Sequence, residues 1–320
     1  MPPLPPDATR PANDVRHLQR IFERRAAHFD DVAFLPREIS QRMRERLDYI
    51  KINPAHVLDA GCGPGDDLPQ LRERFSEALV CGVDLSWAML ARACRQDEPD
   101  TRWSRLLPNA LGNLLGKRGS RLVQSDFSAL PFAAGAFELI WSNLALHWHS
   151  RPNLIFAQWQ RALKVNGLLM FSTFGPDTLK ELRSVYAQLD ASRDDGPRAH
   201  VIDFVDMHDL GDMLVENGFE IPVMDQERLT VTYQSPQSLL ADVRRWGAYP
   251  WSRGAVGLMG RSQYRALLAA LEARRGADGS IALTFEVIYG HAWKAVPRTT
   301  PEGHGIVRLD EIGRGPLKNR

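Results

Sequence analysis

Two acids and a set of glycines stand where an apolar run must turn into a helix. The first acid and the glycines lie in Val57-Leu58-Asp59-Ala60-Gly61-Cys62-Gly63-Pro64-Gly65; the second acid, Asp84, ends the next apolar run, Leu79-Val80-Cys81-Gly82-Val83. Glycines let a backbone turn tightly and come close to a ligand, because no Cβ intervenes. A carboxylate at Asp84 can accept hydrogen bonds from both hydroxyls of a ribose. The dinucleotide fingerprint is G-x-G-x-x-G and faces a pyrophosphate. Here the spacing is one residue shorter, and Asp59 lies two positions before the first glycine. An acid there repels a pyrophosphate and suits the ammonium of a methionine. The pattern therefore points to S-adenosylmethionine rather than a nicotinamide dinucleotide. Asp59, Gly61, Cys62, Gly63, Gly65, Asp84 and the adjoining Leu85 form the expected cofactor set.

Two further segments follow. In Gln124-Ser125-Asp126-Phe127, the acid can bind an adenine amino group or simply cap a turn, and the phenylalanine can cover a ring or belong to the core. In Trp141-Ser142-Asn143-Leu144-Ala145-Leu146-His147-Trp148, Asn143 and His147 would face the sulfonium. His147 and His149 flank a tryptophan, but no Cys, Asp or Glu stands at ligand spacing beside them, so no metal is expected. No base constellation emerges. That is compatible with a carboxylate acceptor, which is ionised at neutral pH because its pKa is about 4.

The elements that must hold these groups alternate. Strands are expected at His56–Ala60, Ala78–Asp84, Leu122–Ser125, Ala136–Ser142, Gly167–Phe174, Arg228–Tyr233 and Ile281–Trp293. Helical patterns fall at Pro152–Lys164, with an apolar stripe, and at Asp206–Asn217, closed by Gly218. This alternation implies a Rossmann-like α/β fold, a mostly parallel seven-stranded sheet with helices on both faces. Two helices are expected within 15–50, before a main domain of 51–295. A helical stretch at about 234–280 would rise over the strand ends as a lid. Residues 1–14 read as a flexible leader and 296–320 as a disordered tail.

At 44% hydrophobic and 25% charged residues, the composition is that of an ordinary globular protein. A net charge of +1 gives no global bias toward nucleic acid or membrane. Apolar runs are too short to span a bilayer, residues 1–14 lack a secretory h-region, and the three cysteines suggest no disulfide framework. A cytoplasmic setting is expected. Locally, Thr101–Arg121 carries Arg102, Arg105, Lys117, Arg118 and Arg121 with no acid, and Val243–Arg275 carries seven arginines against Glu272 alone. Such patches can steer an acidic partner or be plain solvated faces.

From Val57 to Gly175 the chain resembles class I methyltransferases of the type-11 group. The second half narrows the resemblance. Its segments are Ser172-Thr173-Phe174-Gly175-Pro176-Asp177-Thr178-Leu179-Lys180-Glu181-Leu182-Arg183, Phe204 to Leu214, Pro222-Val223-Met224-Asp225 and Leu229 to Tyr233. With the opening Phe22-Glu23-Arg24-Arg25-Ala26-Ala27-His28-Phe29-Asp30, they resemble the malonyl-(acyl-carrier protein) O-methyltransferases of biotin synthesis. The resemblance implies methylation of the free carboxylate of a malonyl thioester, on acyl carrier protein or coenzyme A. It also implies an opening segment that folds over the cofactor. A cation must hold that carboxylate. Arg183 is the first candidate, with a helix-pairing arginine as the alternative, and Arg244 and Arg245 come next. Phe174–Arg183 and Gly279 to Lys294 are also similar to a complex I assembly factor that hydroxylates protein arginines, which leaves a hydroxylase or a non-enzymatic assembly factor as the other reading.

Overall fold

The computed structural model describes residues 15–97, 121–191, 200–247 and 260–296. The expectations for the leader, for most of the basic 101–121 segment, for 248–259 within the helical stretch and for the tail from 297 onward lie outside those residues.

The strands form one sheet: β1 (His56–Ala60), β2 (Leu79–Asp84), β3 (Arg121–Gln124), β4 (Phe137–Ser142), β5 (Leu163–Phe174), β6 (Phe219–Tyr233) and β7 (Ile281–Lys294). Their spatial order is β3-β2-β1-β4-β5-β7-β6, with β7 alone antiparallel to its neighbours. The order reverses between β1 and β4, so their carboxyl ends open a crevice, where ligands of such sheets bind. The helices are α1 (Val15–Arg25), α2 (Phe34–Leu47), α3 (Leu68–Arg74), α4 (Trp87–Asp97), α5 (Pro152–Ala162), α6 (Lys180–Asp190), α7 (Met207–Glu216), α8 (Pro236–Trp246) and α9 (Arg261–Glu272). A 3₁₀ turn, Ala26–Val32, joins α1 to α2.

Strands buried on both faces should be nearly all apolar, and the central ones are. In β1, every residue from Val57 to Ala60 is buried, and Asp59 is the polar exception. One core cluster contains Ile39, Met43, Val57, Leu139, Trp141 and Phe285; the opposite face of the sheet holds Leu58, Ile140, Phe156, Trp159 and Phe171. The helical stretch is built into the first cluster through Leu239, Leu240, Val243, Trp246, Leu267 and Leu271. There α8 packs on the 3₁₀ turn, and α9 on α6.

Two boundaries differ from expectation. The helix expected to reach Lys164 stops at Ala162, because Leu163 already pairs with Phe137 in the sheet; a register shift follows, with Asn166 at φ 61°. The strand expected at Arg228 begins at Phe219. A proline normally argues against a strand, but Pro222 sits at a bulge on an edge strand, beside Ile221 at φ 51°, where no ladder donor is needed.

Gly290 of β7 lies opposite Phe171 of β5. A Cβ there would meet the Phe171 ring, 2.5 Å from Cε1, and come within 3.0 Å of Met224 Sδ. Phe171 is fully buried and has nowhere to move. Gly290→Ala should cost about 1–3 kcal/mol of stability, read as a lowered urea midpoint with an unchanged m-value.

Candidate active site

The glycine loop runs from the end of β1 into α3, with Gly61, Gly63 and Gly65 at φ 83°, 53° and 86°. The amides of Gly61 and Cys62 both donate to the Val83 carbonyl (2.8 and 3.0 Å), which ties the loop to β2. Asp84 does the rest. Its Oδ2 accepts from the Gly63 amide at 2.9 Å and its Oδ1 from the Ser86 amide at 2.8 Å. It thus shapes the loop it would share with a ligand. Gly61 faces Ala145 across the crevice, and Gly65 rests on Ala93 of α4.

Three buried acids crowd this end of the sheet. Burial pushes the Asp84 carboxyl up to about 6, against the hydrogen bonds that favour its charge. Asp59 is driven well above the carboxylate range by burial and then by the nearby charges of Asp67 and Asp84. Its Oδ2 is sealed from solvent and has no hydrogen-bond partner. Asp67 is satisfied: it accepts from Trp141 Nε1 at 2.9 Å and from the Ser40 hydroxyl, with Arg44 at 3.7 Å. An orphaned carboxylate oxygen beside a loop with glycine at every second position fits a ligand that brings an ammonium group, as S-adenosylmethionine does. Cys62 is free and buried, and burial raises its thiol far from thiolate.

These residues line one cavity of about 1230 Å³, including its open mouth. Asp59, Gly61, Cys62, Gly63, Asp84, Leu85, Asp126, Phe127, Asn143 and His147 all border it, and Gly65 does not. Asp126 caps its turn, Oδ1 accepting from the Ser128 amide at 2.8 Å, while still bordering the cavity. Asn143 has both ends committed: Nδ2 donates to the Pro36 carbonyl at 3.0 Å and Oδ1 accepts from the Ser172 hydroxyl at 2.8 Å. It clamps α2 to the end of β4. His147 is packed among the rings of Trp148, Phe174 and Phe204. Burial, aided by the charge of Arg25, pushes it down to about 3, so it is neutral at physiological pH.

The structure places Arg183 away from the cavity. It donates to the Ile202 carbonyl at 2.8 Å, pairs with Asp203 at 3.6 Å and lies over the outer ring, Phe204. Arg244 and Arg245 do not border the cavity either, and Arg245 pairs with Asp242 and Asp31.

The opening segment, expected from the resemblance to fold over the cofactor, brings side chains to the cavity that the sequence reading did not single out. Val15, Leu18, Phe22, Arg25 and Phe29 recur at steps of three and four, and all five border the cavity. Glu23 fixes this strap by accepting from the Trp87 and Ala88 amides (2.8 and 3.1 Å) at the start of α4. Arg92 holds the Ala26 carbonyl and Asp30, and Arg37 bridges Asp30 and Asp66 (2.9 and 2.7 Å). Trp246 of α8 closes another side and donates to the Val32 carbonyl at 3.2 Å. The signal was an arginine standing on an apolar helical stripe.

A methyltransferase-domain profile matches residues 58–171, from β1 into β5. Over 286 residues the chain is 42% identical to a malonyl-(acyl-carrier protein) O-methyltransferase of Laribacter hongkongensis, covering 89% of this chain and 91% of that one. A protein of the same name from Gallionella capsiferriformans is 41% identical over 296 residues, covering 92% and 96%. A crystal structure from Bacillus halodurans, 18% identical, covers 80% of this chain and 99% of its own with a TM-score of 0.51, which supports the fold. No helix among the described residues is long and apolar enough to cross a membrane.

Proposed function

The chain belongs to the malonyl-(acyl-carrier protein) O-methyltransferase family, and from that premise we propose that it methylates the free carboxylate of a malonyl thioester with S-adenosylmethionine as donor. The donor brings a sulfonium methyl group; a malonyl carboxylate oxygen bonds to that methyl carbon as the carbon–sulfur electron pair returns to sulfur. No proton moves, and the products are the methyl ester and S-adenosylhomocysteine.

The observation that carries the choice of acceptor is the poverty of bases where an acceptor would enter. His147 is held neutral at about 3, and burial also lowers His149. His147 cannot gather a proton efficiently from an amine or a hydroxyl at pH 7, because the driving force for transfer to so weak a base is small, and burial weakens His149 in the same direction. A carboxylate arrives ionised. Alignment and exclusion of water are then the protein's main contributions. In this reading Asp84 takes the ribose hydroxyls, Asp59 the methionine ammonium, and Asp126 with Phe127 the adenine. Gly61, Cys62 and Gly63 offer backbone to the cofactor, Leu85 borders the ribose, and Gly65 lets the loop settle on α4. Asn143 sets the cavity wall by clamping Pro36, and His147 packs against the transferring methyl. Acyl carrier protein is the favoured carrier over coenzyme A, reached in the cytoplasm; the basic 101–121 and 243–275 stretches suit an acidic partner, and such a product fits an early step of biotin synthesis.

Incubating the full chain with malonyl-acyl carrier protein and S-adenosylmethionine should add one methyl to the carrier, read by intact mass. Since the reaction takes no proton from the acceptor, kcat should stay flat within about twofold from pH 7 to 9. A rise in kcat through an inflection near pH 8 would point to an acceptor that must be deprotonated. No methyl gain despite donor binding would sink the acceptor assignment.

A further inference from the structure

Arg25 is the last residue of α1, and its environment is that of a cation awaiting an anion. Its guanidinium lies over the rings of Phe22 (5.1 Å) and Trp148 (5.0 Å). Nε and Nη1 are sealed from solvent and have no hydrogen-bond partner. A Cβ at Gly247, the left-handed cap of α8, would come within 3.0 Å of Nη1, so that side is closed by backbone. Among the described residues no carboxylate pairs with it, whereas Arg37 and Arg92 nearby each hold one or two. Burial alone lowers its pKa, to about 10, and leaves it charged at neutral pH. Its place at a helix C-terminus favours that charge. Even so, desolvating a guanidinium without satisfying its donors is costly, and a site retains such a group for a ligand that completes it.

The position selects the ligand. Arg25 lies over Trp148, after β4, and against Gly247, at the end of α8, and its charge acts on His147. The three buried acids occupy the cofactor end, where a second carboxylate would be repelled. Arg25 thus faces the acceptor half of the cavity, walled by Phe22, Trp148, His147, Phe174 and Trp246. Resting on the reading above, we propose that Arg25 is the anchor of the acceptor's carboxylate, a guanidinium stacked on two aromatic rings whose cavity-bordering edge holds one oxygen and leaves the other facing the methyl group. The same contact gives product release a cause, because esterification removes the negative charge that Arg25 holds.

The experiment compares wild type with Arg25→Met, Arg25→Lys and the control Arg24→Met, whose arginine is exposed and donates to the Arg20 carbonyl of its own helix. Arg25→Met should raise KM for malonyl-acyl carrier protein by about 30-fold and leave S-adenosylhomocysteine affinity within about twofold. Arg25→Lys should recover part of the loss, and Arg24→Met should match wild type. The thermal midpoint of ligand-free Arg25→Met should not fall, since an unpaired charge is removed; this separates lost binding from lost folding. A weakened S-adenosylhomocysteine affinity with unchanged KM would assign Arg25 to the donor's carboxylate and overturn the proposal, as would no change in either. If wild type transfers no methyl at all, the reaction reading fails, and the anchor is tested separately by titrating malonate alone into S-adenosylhomocysteine-loaded protein. Calorimetric binding lost only in Arg25→Met supports it; binding equal in both variants refutes it.

Discussion

Asp84→Ala should bind S-adenosylmethionine at least about 100-fold more weakly than wild type, with methyl transfer lost in proportion. Two charge-assisted hydrogen bonds to the ribose are at stake, each contributing about 1.5–3 kcal/mol. The same carboxylate also holds the Gly63 and Ser86 amides, so its removal slackens the loop as well as the ligand contact. Asp84→Asn separates these roles. The amide keeps one acceptor oxygen, enough for the Gly63 or the Ser86 amide but not both, so the loop should slacken less than in Asp84→Ala while affinity still falls by at least tenfold. Because burial lifts the Asp84 carboxyl to about 6, charge there is a cost to the empty protein at pH 7.5. An acid whose folded pKa is raised adds stability only as pH falls through that value, so ligand-free wild type should gain melting temperature, relative to Asp84→Asn, as pH falls from 7.5 toward 5. The pH arm has the same sign. Ligand needs the ionised form, so wild-type affinity should be constant above pH 7 and about tenfold weaker at pH 5. Calorimetry at three pH values and a melting series on the two variants check every part; an affinity indifferent to Asp84→Ala would remove the ribose assignment.

The sheet could be read from the chain because its strands are short, apolar and separated by helices of matching period. What escaped was governed by tertiary context. Leu163 and Lys164 continue the helical stripe of α5, but pairing with β4 claims Leu163 for the sheet. Pro222 disguises the first half of β6, since the bulge that accommodates it is visible only once β7 is alongside. At the site, the glycine loop and its two acids were legible because each needs a residue type that little else explains. Arg183 was assigned from its helix, and the helix was right; a layer of rings from Phe204 and Phe174 stands between it and the cavity. Arg25 was hidden in an arginine pair, Arg24-Arg25, of which only one faces inward. Helical phase distinguishes them, as Arg25 follows Leu18 by seven and Phe22 by three.

Gly61→Ala should abolish activity, and Ala145→Gly should return part of it. The two substitutions meet across the crevice. A Cβ on Gly61 would fall on the Ala145 Cβ, whereas Ala145 Cα at 3.8 Å and Phe127 Cε1 at 3.6 Å are ordinary contacts. Removing the Ala145 methyl therefore removes the collision and leaves the cost of φ 83° in a residue with a side chain, about 1–2 kcal/mol. The single variant faces both penalties. Its loop must move off Val83, whose carbonyl holds the Gly61 and Cys62 amides, and take the Gly63 amide away from Asp84. Donor affinity should then fall by roughly 100-fold or more, since the loop and the acid that shape the site part company. In the double variant the loss should shrink to about 5–30-fold, the equivalent of the φ cost alone. A double-mutant cycle on S-adenosylhomocysteine affinity reads the coupling directly. Additive losses would mean that the alanine methyl is not what fixes the loop, and that the strain at Gly61 is backbone conformation throughout. Strong coupling would establish that the close approach of β1's turn to β4's turn sets the width of the site, and hence that Gly61 is required by its neighbour as much as by its ligand.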